Sequence, residues 1–151
     1  MKVALLVIHK NKCINMATRA SVKFSDKDGN FIANVYHHYD GYPEYLGQKL
    51  VDLTTAPVTN GLRVNPDGTR PVLGEMFNGI GCLVASVVAQ LKEQPGMVYL
   101  YTEDDFGNCN EDYLYEVIEN SESTGAKVFV QNMDGEWEFV EDILERVSSP
   151  L

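Results

Sequence analysis

The sequence predicts an α+β domain: a mostly antiparallel sheet of about five or six strands with two main helices packed on it. Two observations carry this. Runs of alternating apolar and polar residues are folded back on themselves at "DKDG" (26–29) and "NMDG" (132–135), both hairpin turn signals. One stretch, 82–91, is apolar or small on nearly every side except Ser86 and Gln90, the pattern of a helix buried against a sheet.

The elements follow in order. "ASVKFSDKDGNFIANVYHHYD" (20–40) reads as a hairpin in which Val22 and Phe24 alternate with Ser21 and Lys23. On its second strand Phe31, Ala33, Val35 and His37 face one way, and Ile32, Asn34, Tyr36 and His38 the other. "GYPEYLGQKLVDL" (41–53) predicts a helix starting at Pro43, where the missing N–H needs no partner. Residues 54–75 hold three prolines and three glycines and form the longest irregular stretch. "NGIGCLVASVVAQLKEQPG" (78–96) is the clearest helix, opened by Asn78 and Gly79 and stopped by Pro95 and Gly96. "MVYLYTE" and "YLYEVIEN" are strands with a loop between them, and "AKVFVQNMDGEWEFVEDI" is a second hairpin. "EDILERV" closes the chain as a short helix.

A chain of 151 residues, 44% hydrophobic and 23% charged, suits one domain with a real core. Cys13, Cys82 and Cys109 are odd in number and widely spaced, which argues against a disulfide framework and a thiolate zinc site and for a reducing compartment. The apolar run in "MKVALLVI" is too short for a secretory signal or a membrane span. Residues 1–15 read as an N-terminal extension or peripheral strand, with Met16 opening a single domain over 16–151. The net charge of −10 is uneven: residues 1–100 carry +2 and residues 101–151 carry −12. That balance argues against nucleic acid as a partner. It fits a solvated acidic face or a cationic protein partner.

Three places invite chemistry. His37, His38 and Asp40 look like metal ligands, but neighbouring strand residues face opposite sides, so His38 and Asp40 alone share a face, and two ligands do not hold zinc. No nucleophile elbow or P-loop is present, and no cofactor is expected. Gly79 and Gly81 open the long helix, whose N-terminus could offer backbone N–H groups to an anion, although close helix–sheet packing explains the glycines as well. Cys82 there reads as a small buried hydrophobe. The eight tyrosines, Tyr36, Tyr39, Tyr42, Tyr45, Tyr99, Tyr101, Tyr113 and Tyr115, fall in three segments that could meet in space, as a recognition surface or as strand packing.

The segments "YHHYDGYPEYLG", "FNGIGCLVASVVAQLK" and "GMVYLYTED…EDYLYEV" resemble a group of small uncharacterised proteins of bacteriophages and prophage-bearing bacteria. Its members carry a Y-x-x-[YFW]-D-G-Y-P-x-x-x-G segment after an "MATR"-like start. The likeness runs over about residues 16–142, and D-G-Y-P is its most specific part. It implies an accessory protein acting in the cytoplasm of a bacterial host, and it brings no catalytic residues with it.

The expected function is a non-enzymatic binding protein that antagonises a host defence or housekeeping factor. Its surface is either the acidic C-terminal sheet or the tyrosine-rich corner. Asp40, Gly41, Tyr42 and Pro43 hold that corner, Tyr39 and Tyr42 offer contacts, and Tyr36 and His38 lie on the strand leading in. The alternative is sequestration of a small anionic or nucleotide-like ligand in a tyrosine-lined pocket near Gly79 and Gly81, which also implies a homo-oligomer. A small metal-dependent hydrolase using His37 or His38 with Asp40 ranks last.

Overall fold

A computed structural model of the chain describes residues 17–122 and 125–149. The readings of residues 1–15 and of Met16 lie outside them. The architecture is the expected α+β one. Among the described residues six strands form one sheet in the order β5-β2-β1-β6-β7-β8. These are β1 (Ala20–Ser25), β2 (Phe31–His37), β5 (Val98–Tyr101), β6 (Tyr113–Glu119), β7 (Ala126–Gln131) and β8 (Trp137–Phe139). A parallel pair of two-residue strands, β3 (Val58–Thr59) and β4 (Phe77–Asn78), closes the long loop. A π-helical turn, Pro43–Gly47, runs into helix α1 (Gln48–Leu53), followed along the chain by α2 (Gly79–Leu91) and α3 (Val140–Ser148).

Both predicted hairpins form, β1 with β2 and β7 with β8. The central pairing does not come from a hairpin: β1 lies parallel to β6, with Val22 opposite Tyr115 and Phe24 opposite Val117. A parallel neighbour needs a crossover. Here residues 102–112 supply it, leaving edge strand β5 and reaching β6 on the far side of the β1–β2 hairpin.

The helices cover one face of the sheet. Val22, Phe24, Val35, Tyr115, Val117 and Val130 of the strands pack there with Leu46, Leu50, Leu83, Val87 and Val140. The predicted facing of β2 holds from Ala33 to His37. Before that the register slips, so that Phe31 stands opposite Ser25 and Ile32 is left over. Ile32 instead lines a groove with Ala33 beneath α2. α2 is also less enclosed than its composition predicts. Leu83, Val84, Val87 and Leu91 are buried, but Gly81, Ala85 and Ala89 on the other side are exposed.

The D-G-Y-P corner joins β2 to α1. Asp40 takes a left-handed conformation, φ +53°, which Asp tolerates better than most residues. Gly41 is buried, and its N–H donates to the Thr18 carbonyl at 3.0 Å. A Cβ there would lie 2.7 Å from the Ala20 Cβ and 3.0 Å from that carbonyl oxygen. The Tyr42 carbonyl accepts from the N–H groups of Tyr45 and Leu46, and Pro43 opens the helical turn. The Tyr115 hydroxyl donates to the Gly41 carbonyl at 2.7 Å in the interior. Burial raises the phenol's pKa far above its usual value, so the group stays a donor. Gly47, one turn on, leaves room for Val140 and the Tyr115 ring, so α3 and the sheet close on the same helix.

Tyr115→Phe leaves the buried Gly41 carbonyl without this donor. It should cost about 1–3 kcal/mol in urea unfolding. Gly41→Ala should cost a comparable amount by overpacking against Ala20.

Candidate functional site

The tyrosines sort onto different surfaces. Tyr113 and Tyr115 face the helices, their ring centroids 6.4 Å apart. Tyr42 and Tyr45 make a separate pair at 6.1 Å, and Lys49 caps the latter, with its Nζ 3.0 Å from the hydroxyl and 4.5 Å from the ring centroid. Tyr36, Tyr99 and Tyr101 lie together on the sheet face away from the helices. Register places Tyr99 opposite Tyr36 and Tyr101 opposite Asn34.

That last group is the candidate site. Tyr36 stacks on Tyr101 with centroids 5.1 Å apart and planes 19° apart, and Tyr99 lies 6.1 Å from both. The Tyr36 hydroxyl and His38 Nδ1 share a hydrogen bond of 2.9 Å. His38 in turn meets Tyr39 edge-on at 4.6 Å. Tyr36 is buried at 6% exposure, whereas Tyr39, Tyr99 and Tyr101 are 46%, 44% and 37% exposed. A buried ring thus supports two exposed ones directly, and the third, Tyr39, through His38.

The crossover loop packs on the same sheet face as Tyr36, over Ser21, Lys23 and Asn34. Asn34 Nδ2 donates to the Thr102 carbonyl at 3.0 Å, and Ser21 Oγ donates to Glu111 Oε1 at 2.7 Å. Glu111 also accepts from the N–H groups of Gly107 and Cys109, tying the loop to itself and to β1. Lys23 Nζ sits 4.9 Å from the centroid of Phe106 and pairs with Glu116 at 2.6 Å. The loop shields the middle of the sheet and leaves the tyrosines open toward β5.

The electrostatics of the patch are acidic. Burial raises the pKa of Tyr36, opposed by the positive charge of Arg19. Burial likewise raises Tyr101, reinforced by Cys109, Tyr99, Asp105 and Glu111. Cys109 is held up by burial, Glu111 and Asp105, so its thiol is a poor nucleophile at neutral pH.

His37 and His38 part company as the alternation requires. His37 points into the core and is 1% exposed, and its Nδ1 has no hydrogen-bond partner among the described residues. β2 is flanked by β1 on one side and β5 on the other, so it is an interior strand of the sheet. Among the described residues no three His, Cys, Asp or Glu side chains gather closely enough to hold a metal ion.

Of the named candidates, Tyr36, His38 and Tyr39 come together in the patch. Asp40, Gly41 and Pro43 build the corner, and Tyr42 looks toward Tyr45. Gly79 and Gly81 lie at the start of α2, where the groove beside Gly81 is walled by Ile32, Val84, Val88 and Leu100 without a tyrosine. Cys82 is half-buried in the wall of a second cavity. Tyr99 and Tyr101 also belong to the patch, although the sequence does not set them apart from the other tyrosines. Their two-residue spacing puts them on one strand face, but only the β2–β5 register brings them to Tyr36.

No family model, curated protein or solved structure matches the chain. No helix of the described residues is long and apolar enough to cross a membrane.

Burial lowers the pKa of His37 from its usual 6.5. The unfolded chain therefore binds more protons than the folded one as pH falls below 6.5, and stability should fall with it until the folded-state pKa is passed. Urea midpoints should drop from pH 7.5 to pH 5.5 on the order expected for one such group, and His37→Gln should flatten that slope.

Proposed function

We propose that the protein is a non-enzymatic binding protein and that its working surface is the patch of Tyr39, Tyr99 and Tyr101 over Tyr36 and His38. The observation that carries this reading is the contrast within the patch: the exposed Tyr99 and Tyr101 rest on the buried Tyr36, and the exposed Tyr39 meets His38, which is hydrogen-bonded to Tyr36. Tyrosines fixed in this way offer large contact area at low entropic cost.

The partner is a protein that presents cationic side chains. Asp105 and Glu111 lie near enough to perturb Tyr101, and the last third of the chain carries −12. A ring face attracts a cation, and here Lys92 already lies 5.5 Å from the centroid of Tyr99. An acidic surround would speed the approach of such a partner and discriminate against nucleic acid. The resemblance to phage and prophage proteins makes a bacterial host factor the natural target, and the binder its antagonist.

Capture from bacterial lysate tests this. Wild-type protein should retain a partner that elutes at raised salt. Tyr99→Ala with Tyr101→Ala should weaken retention at least about tenfold, with an unchanged unfolding midpoint. Equal capture by the double variant would remove this patch from consideration. Loss on Tyr42→Ala alone would move the surface to the Tyr42–Tyr45 side of the corner.

A further inference from the structure

We propose that two copies of this chain associate through the exposed side of α2, the loop that precedes it and the adjoining flank of β5. The surface is independent of the tyrosine patch, which lies on the opposite face of the sheet.

Thirteen residues of α2, Gly79–Leu91, include no charged side chain, although Gly81, Ala85 and Ala89 are exposed. A helix that faces water ordinarily carries charge on that side. A cavity of about 370 Å³ lies on one flank of the helix, walled by Leu62, Val72, Leu73, Met76, Cys82 and Ala85. A groove of about 450 Å³ lies on the other, between Val84, Ala85 and Val88 of the helix and Ile32 and Leu100 of the sheet. Ala85 belongs to both walls, so the apolar surface is continuous across the helix.

Leu62, Val64, Val72, Leu73 and Leu100 are each between 64% and 69% exposed. At roughly 100 Å² per fully exposed aliphatic side chain, these five alone show about 300 Å². The largest apolar patch on a soluble monomer is itself about 300–600 Å² and is often functional. With the helix ridge added, two such faces approach the roughly 1,000 Å² of total burial that a specific interface needs.

Charge selects a second copy as the occupant. Two chains of net charge −10 repel unless they meet where carboxylates are few. Here the two nearby carboxylates are turned into their own loop: Asp67 accepts from the Thr69 N–H and hydroxyl, and Glu75 accepts from the Val72 N–H. Arg63 and Arg70, which line the next hollow with Leu62 and Val64, form no ion pair among the described residues. The two arginines balance the two carboxylates, so this side is near neutral on an acidic molecule. The low ridge of Gly81, Ala85 and Ala89 lets a second helix approach closely. A two-fold axis then makes every contact twice.

Sedimentation equilibrium of the full chain, from about 1 µM to about 100 µM, is the test. A mass near twice 16.9 kDa is expected at the upper end. Ala85→Glu and Leu100→Asp, made separately, should each raise the dimer dissociation constant about a hundred-fold while circular dichroism is unchanged. Met133→Asp, on the distant β7–β8 turn, should leave the dimer intact. If Ala85→Glu does not fold, Leu73→Asp on the loop carries the same expectation. A wild-type monomer throughout the range would overturn the proposal, as would a dimer indifferent to these substitutions.

Discussion

The Tyr115 hydroxyl reaches across the core to the Gly41 carbonyl, and the path of the chain after β2 depends on that contact. The corner needs a left-handed Asp40, a glycine at 41 with no space for a side chain, and a proline at 43 to open the next turn. Asp40 and Pro43 are local requirements, and Gly41, against Thr18 and Ala20, ties the corner to the start of β1; none ties it to the strand beyond. Tyr115 does so from β6, a strand 74 residues further along the chain. A buried carbonyl without a donor costs about as much as the hydrogen bond it lost, so this contact is costly to break and specific in what it selects. The corner, once held, fixes the end of β2, and with it His37 in the core and His38 and Tyr39 outside.

The parallel pairing of β1 with β6 is the second constraint, and it shapes the exposed face. Because β5 and β6 lie on opposite sides of the β1–β2 hairpin, the connection between them has to cross the sheet. It runs over the face opposite the helices, where Glu111 and the Thr102 carbonyl pin it to Ser21 and Asn34. Polar residues on β1 and β2 are buried as a result: Ser21 is 0% and Asn34 1% exposed. The tyrosines on the β5 side escape this cover. The patch is thus a remainder of topology as much as a product of residue choice.

Local patterns were legible in the sequence, and long-range ones were not. The hairpin turns at 26–29 and 132–135, the start of a helix at Pro43 and the span of α2 all follow from periodicity and turn chemistry within a short window. The β1–β6 pair, the β3–β4 bridge and the exposure of one side of α2 depend on partners far off in sequence, which no window contains. The slip at Ile32 is a case in between: its signal is a one-residue mismatch that appears only once the partner strand is known. The site shows the same division. Alternation separated His37 from His38 without a structure. It could not tell that Tyr99 and Tyr101 join Tyr36 while Tyr42 goes elsewhere, since that depends on which strand β5 pairs with.

β5 joins the two surfaces to which function is assigned. Tyr99 and Tyr101 project to the patch, and Leu100 between them projects to the α2 groove. Its outer edge, unpaired among the described residues, is less available. Lys92 Nζ donates to the carbonyls of Gly96 and Val98, which places a cation on the edge where another strand would add. An acidic chain that avoided edge pairing in this way can still associate through side chains on either face. If the apolar face joins two copies, the tyrosine patches lie on the far sides of the pair, free and doubled. Two weak contacts to a repeated or dimeric partner then act as one strong one, limited by whether their spacing matches. In that arrangement the acidic charge would hinder self-association elsewhere, confine the pairing to one face and leave the other for the cationic partner proposed above.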